Sequence, residues 1–210
     1  MIVAIDGPAG SGKSTIARKV AESLGFVYVN SGNIYRALTL GALDHGIGLE
    51  AKAELLEFAR GAGIEYRGKR LFLEGRDVEE ELHSARVDAL VAQLSAIPEI
   101  REVVNAHVRK IAGSTDAVVE GRDMTTVVFP DADYKFYLDA SAESRAKRRF
   151  DQGCSSETLE SIRRNIEMRD TIDRQKSVGA LKIAPDAYYL DSSDLTIDQV
   201  YDKVYGKILH

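Results

Sequence analysis

The chain has 210 residues, 44% hydrophobic and 29% charged, with 28 Lys and Arg against 33 Asp and Glu for a formal net charge of -5. This composition excludes a disordered tail, a collagen-like fibre and a membrane span, and the acidic balance argues against the broad basic surface of a nucleic-acid binder. A lone cysteine, Cys154, excludes a disulfide framework, and the opening MIVAIDG has no basic leader, so a cytoplasmic chain is expected.

Ile2 to Ile5 is a short β-branched run ending in Asp6-Gly7-Pro8, and Ile16, Ala17, Val20 and Leu24 recur at helical spacing from about Lys13, so the chain opens as strand, glycine loop and helix. Phe26 to Val29 reads as a second strand. Ser31 is expected to cap a helix that runs to about Asp44, where His45-Gly46 ends it. A helix over Ala51 to Arg60 precedes Ile64 to Tyr66 and Leu71 to Leu73, which flank Arg67-Gly68-Lys69-Arg70 as a polar hairpin. Helices are predicted over about Ser84 to Ala96 and from Pro98 to about Ile111, and strands at Ala117 to Glu120 and Asp133 to Leu138. Helices at Ala142 to Phe150 and Glu157 to Asp173, a strand at Ala187 to Leu190 and a helix from Ile197 to Leu209 complete the chain. The alternation predicts an α/β fold, a parallel sheet covered by helices on both faces, in one domain with a small insert at about 50–84.

Gly7-Pro8-Ala9-Gly10-Ser11-Gly12-Lys13-Ser14-Thr15 matches G-x-x-x-x-G-K-[ST] in full. Its glycines let successive N–H groups curl around a phosphate, and the helix that follows adds its positive dipole end. Lys13 is placed to reach the β- and γ-phosphates and Ser14 to coordinate Mg²⁺, so a purine nucleoside triphosphate is the expected ligand. Arginine is concentrated between Arg101 and Lys176, which also points to a small, highly charged anion. Glu120-Gly121-Arg122-Asp123 ends a buried-type strand, where parallel sheets place ligands. Arg122 there either grips a phosphate, with Asp123 on a sugar hydroxyl or the magnesium shell, or pairs with Asp123 in a charged turn. No Asn-Lys-x-Asp guanine-reading motif is present, and His45, His83, His107 and His210 form no catalytic pattern.

With Val29-Asn30-Ser31-Gly32-Asn33-Ile34-Tyr35-Arg36, the run Gly121-Arg122-Asp123-Met124-Thr125-Thr126-Val127-Val128-Phe129-Pro130-Asp131-Ala132 and Arg169-Asp170-Thr171-Ile172-Asp173-Arg174 added to the phosphate loop, the chain resembles the bacterial cytidylate kinases nearly end to end. The resemblance implies transfer of the γ-phosphoryl group of ATP to CMP or dCMP by a monomer. It also implies a core at about 1–49, 85–148 and 170–210, an NMP-binding insert at about 50–84 and a mobile lid at about 149–169. On the donor side it implies Gly7 to Thr15, with Arg145, Arg148 and Arg149 as cations toward the triphosphate. On the acceptor side it implies Ser31, Tyr35, Arg36, Arg101, Gly121, Arg122, Asp123, Arg169, Asp173 and Lys176. Lys13, Arg122, Asp123 and Arg169 are the expected catalytic residues. Gly153 and Ser155 to Ser156 are expected soft points for lid motion, and Cys154 a bystander thiol.

Four positions depart from the family pattern: Asn30 stands for Asp, Ala92 for a polar group, Thr125 for Gly and Lys176 for Arg. They bear on contacts to the acceptor base, since Lys176 lacks the bidentate fork and Ala92 cannot hydrogen-bond a ring. An acceptor phosphate is already ionised, so no general base is required and charge neutralisation carries the catalysis. Competing readings are another P-loop small-molecule kinase acting on AMP, UMP, shikimate or dephospho-coenzyme A, an ATPase or switch module, and a P-loop relic that binds without transfer.

Overall fold

The computed structural model describes residues 1–68, 70–113, 115–151 and 158–209. Its elements in chain order are β1 (Ile2–Asp6), α1 (Lys13–Leu24), β2 (Val27–Asn30), α2 (Ser31–Asp44), α3 (Lys52–Gly61), β3 (Ile64–Arg67), β4 (Arg70–Leu73), β5 (Arg76–Asp77), α4 (Ala85–Leu94), α5 (Pro98–Ala112), β6 (Ala117–Gly121), β7 (Tyr134–Asp139), α6 (Ala142–Asp151), α7 (Leu159–Gln175), β8 (Tyr188–Asp191) and α8 (Ile197–Leu209). A single wide turn of π type, Met124–Val128, follows β6. Gly153, Cys154, Ser155 and Ser156, the expected soft points and the bystander thiol, lie outside the described residues. Among the described residues no helix is long and apolar enough to cross a membrane.

The chain groups into two compact units, Met1–Val29 with Thr115–His210, and Asn30–Ser114. In the first, the sheet order is β2-β6-β1-β7-β8. The pairs β6–β1, β1–β7 and β7–β8 all run parallel, with Val3 opposite Val118 and Tyr134 on its two sides. A strand flanked in this way needs apolar residues on both faces, which is why Val3, Ala4 and Ile5 read as a continuous run rather than an alternation. Val3, Ile5, Val118, Phe136 and Leu138 pack with Ile16 and Val20 of α1 and with Val200, Val204 and Ile208 of α8. Because β1 lies where the strand order reverses, the loop after it opens at the sheet's carboxyl edge, the usual ligand position of such sheets. Gly7 is required there, since a Cβ on it would lie 2.0 Å from the Leu138 carbonyl oxygen.

The second unit packs α2 against α3, α4, α5 and β4. The hairpin expected after Ile64 forms as β3 and β4, with Arg67 opposite Arg70, and a short third strand, β5, adds to it. That strand has two residues and carries no apolar pattern, so nothing in the sequence marks it. The cap of α2 differs from expectation: Asn30, in extended conformation, accepts a 3.2 Å hydrogen bond from Asn33 N through Oδ1, and Ser31 is the first helical residue.

Asp6, fully buried, ties β1 to the start of the π-type turn. Its carboxylate accepts from Met124 N at 2.9 Å, Thr125 N at 2.7 Å and Thr125 Oγ1 at 2.6 Å. Burial nonetheless pushes this carboxyl up to about 6 against those three donors. The folded state thus holds the proton more tightly than the unfolded one. This contribution to stability is complete below the ordinary carboxylate range and is lost as pH rises through about 6. Thr125→Val removes the hydroxyl donor at nearly constant volume, and urea unfolding should show it costing about 1–3 kcal/mol at pH 7.5 and clearly less at pH 4.5. An equal cost at both values would mean the hydroxyl does not serve the ionised carboxylate.

Candidate active site

The phosphate loop takes a form that suits an anion. Gly10 and Gly12 have φ of 77° and 91°, the left-handed region that glycine enters without strain. Gly12 leaves the head of α1 without a side-chain cap, and no acidic residue stands in the first turn. The Ser11 hydroxyl is buried with no hydrogen-bond partner among the described residues. Lys13 is buried, and its Nζ donates to the Pro8 carbonyl at 2.7 Å, across the loop. Burial, with the nearby Arg122 charge, brings the Lys13 ammonium down to about 7, against the opposing pull of Glu120, Asp6 and Asp173. Ser14 and Thr15 are exposed and, with Arg18, Lys19 and Glu22, line a cavity of about 290 Å³.

In the same unit, Arg122 and Lys176 converge on one carboxylate. Arg122 Nε donates to Asp173 Oδ2 and Lys176 Nζ to Asp173 Oδ1, both at 2.8 Å, and Arg122 Nη1 also reaches the Gly121 carbonyl at 3.4 Å. Burial acts to raise the Asp173 carboxyl, but the two cations overcome it and hold it well below the usual carboxylate range. Arg169 lies one turn earlier on α7, partly buried, and Asp123 is buried after β6. Arg169 and Asp173 lie four residues apart within α7, and Lys176 stands just past its end.

Two of the three arginines of α6, Arg145 and Arg148, are turned toward protein oxygens. Arg148 reaches Ser192 Oγ at 3.2 Å and the carbonyls of Ser192 and Ser193. Arg145 is buried, with its donors on the Ala9 and Ala140 carbonyls and on Asp170, while Arg149 is exposed.

The other unit gathers a second set. Ser31 and Tyr35 are buried on α2, and the Arg101 guanidinium stands over the Tyr35 ring at 5.7 Å, within cation–π range. Arg101 Nη1 also donates to the Ser95 carbonyl at 3.1 Å. Arg36 Nη1 donates to the Leu82 carbonyl at 2.9 Å and to Asp88 Oδ1 at 2.7 Å. Asp6 and Asp88 belong to no motif, and Asp170 stands inside the run from Arg169 to Arg174 without a role assigned to it. The signal available for Asp6 is its position, since a carboxylate ending a buried strand must find donors. Asp88 and Asp170 are met only through partners 52 and 25 residues away.

The family model for cytidylate kinase matches residues 3–210. Cytidylate kinases of Caldanaerobacter subterraneus subsp. tengcongensis and Rhodopirellula baltica are 43% and 40% identical over 98% and 97% of this chain and 93% and 90% of their own. A solved shikimate kinase from Bacteroides thetaiotaomicron, 12% identical, aligns over 100% of this chain and 99% of its own with a TM-score of 0.54, which is a likeness of fold. Sequence similarity running almost the full length, on a fold that puts a phosphate loop at the end of a central parallel strand, settles the assignment: the chain belongs to the cytidylate kinase family.

Proposed function

We propose that the chain transfers the γ-phosphoryl group of ATP to CMP or dCMP, giving ADP and CDP or dCDP. The observation that carries the reading is the phosphate loop, in which a buried Lys13 rests on a neutral carbonyl of the loop itself and the buried Ser11 hydroxyl has no hydrogen-bond partner among the described residues. The triphosphate is bound by Gly7 to Thr15, with Lys13 exchanging the Pro8 carbonyl for phosphate oxygen. Mg²⁺ fits this donor set, because the Ser14 hydroxyl is accessible at the head of α1 and Mg²⁺ takes few protein ligands beside phosphate and water. When bound, it neutralises phosphate charge. Arg36 and Arg101, with Ser31 and Tyr35, act on the acceptor nucleotide. Gly121, Arg122, Asp123, Arg169, Asp173 and Lys176 contribute sugar, base and phosphate contacts.

Catalysis on this reading is positioning and charge neutralisation. Lys13, Arg122 and Arg169 spread the charge that develops as the acceptor oxygen attacks phosphorus, and Asp173 holds Arg122 in place for it. Arg148 and Arg149 remain proposed donor-side cations. The insert at about 50–84 and the lid at about 149–169, a cytoplasmic role in pyrimidine nucleotide metabolism and action as a monomer belong to the same proposal.

In an ADP-release assay across CMP, dCMP, UMP, AMP and GMP, CMP or dCMP should stimulate most, and Lys13→Ala should lower kcat about 10²- to 10³-fold. ADP release indifferent to all five would overturn the reading. A second expectation comes from Arg36, whose Nη1 is engaged by Asp88. Asp88→Asn removes a carboxylate that competes with the acceptor phosphate, and KM for CMP should fall about two- to fivefold with KM for ATP unchanged, a scale set by partly exposed ion pairs. A rise in KM for CMP would show that Asp88 instead orients Arg36 for the nucleotide.

A further inference from the structure

Arg145 is placed by three elements at once. It lies in the first turns of α6, so its side chain points back toward the helix start, where Nε donates to the Ala140 carbonyl at 2.8 Å. Nη1 donates to the Ala9 carbonyl of the phosphate loop at 3.0 Å and to Asp170 Oδ1 at 3.1 Å, and Nη2 donates to Asp170 Oδ2 at 2.5 Å. Four of the five N–H bonds a guanidinium carries are thus directed at protein oxygens. The side chains of Arg145 and Asp170 are only 4% and 8% exposed. The aliphatic stem supports the loop as well, since a Cβ at Gly10 would lie 3.5 Å from Arg145 Cβ. Asp170, for its part, is the neighbour of Arg169 on α7 and lies less than one turn before Asp173.

We propose that Arg145 is a positioning residue rather than a contact to the triphosphate. Held by Asp170, its guanidinium fixes the Ala9 carbonyl, so α7, the helix that carries Arg169 and Asp173, also sets the shape of the phosphate loop. A loop that must present its N–H groups to phosphate within a fraction of an ångström depends on what holds its carbonyls from behind. Lysine cannot replace this group, because a single ammonium lacks the planar fork that spans a carboxylate and two carbonyls together.

The proposal rests on the reading that the phosphate loop binds ATP, and the experiment separates the two. Mg-ATP and CMP dissociation constants, kcat and the melting temperature are measured for the full chain and for Asp170→Asn, Arg145→Gln, the double variant and Lys13→Ala. A near-isosteric Asp170→Asn should weaken Mg-ATP binding about 5- to 20-fold and lower kcat about tenfold or more. CMP binding should stay within twofold. The double variant should be no worse than Arg145→Gln alone, since both changes release the same carbonyl. If Arg145 contacts the triphosphate directly, Asp170→Asn frees a cation, and Mg-ATP binding will tighten or stay unchanged, or the two effects will multiply; either result overturns the proposal. Should Arg145→Gln melt below the assay temperature, Arg145→Lys takes its place in the cycle. Unchanged Mg-ATP binding in Lys13→Ala would instead overturn the reading of the loop, whatever Asp170→Asn does.

Discussion

A protein that handles densely charged phosphates has to keep its cations folded when no phosphate is present, and burying an uncompensated charge is among the costliest things a fold can do. The buried and half-buried cations of this kinase meet that constraint by leaning on oxygens of the chain itself. Lys13 rests on the Pro8 carbonyl, Arg122 and Lys176 on Asp173, Arg36 on Asp88 and the Leu82 carbonyl, and Arg145 on Asp170. These internal partners divide into two kinds. Carbonyls and half-exposed carboxylates, such as the partners of Lys13 and Arg36, release a cation readily to a stronger anion. The buried carboxylates of Asp170 and Asp173 hold theirs more firmly: Asp170 fixes Arg145 against the phosphate loop, and Asp173 orients Arg122 and Lys176.

The difference shows in the charge states. Asp173 stays ionised far into acid because two cations flank it, whereas Asp6, with neutral donors only, has a carboxyl raised by its burial. The two carboxylates mark opposite design choices in one unit, one tuned to fix charge and one to fix backbone. Asp6 joins the strand that launches the phosphate loop to the turn that carries Met124 and Thr125, directly after Arg122 and Asp123. Thr125, a departure from the family pattern, adds a hydroxyl to this junction.

Much of this was legible in the sequence because it is local. The phosphate loop is a contiguous pattern, the strands of a parallel sheet read as short apolar runs, and α1, α5 and α8 show helical spacing with recognisable starts. The hairpin Ile64 to Leu73 was equally plain from two apolar runs around Gly68. What stayed hidden depends on residues distant in sequence. β5 has too few residues for a pattern, the π-type turn after Asp123 looks like a loop, and Asn30 rather than Ser31 caps α2, because neighbouring residues of similar chemistry compete for one position. Arginine content pointed to an anion, but whether a given arginine faces ligand or protein is decided by carboxylates such as Asp88 and Asp170, 52 and 25 residues removed.

The pairing of β1 has a consequence for the order in which the molecule comes into being. Ile2 pairs with Ala117 and Val3 with Tyr134, so the first strand to be synthesised has no neighbours until more than half the chain exists. The unit Asn30–Ser114 is continuous and can close on itself during that wait, while residues 1–29 remain an apolar segment in search of a sheet. The phosphate loop, whose shape relies on Leu138, Ala140 and Asp170, is therefore among the last parts to acquire its form on the ribosome. A nascent chain of this kinase has its most recognisable motif from the outset and its use of that motif only near the end.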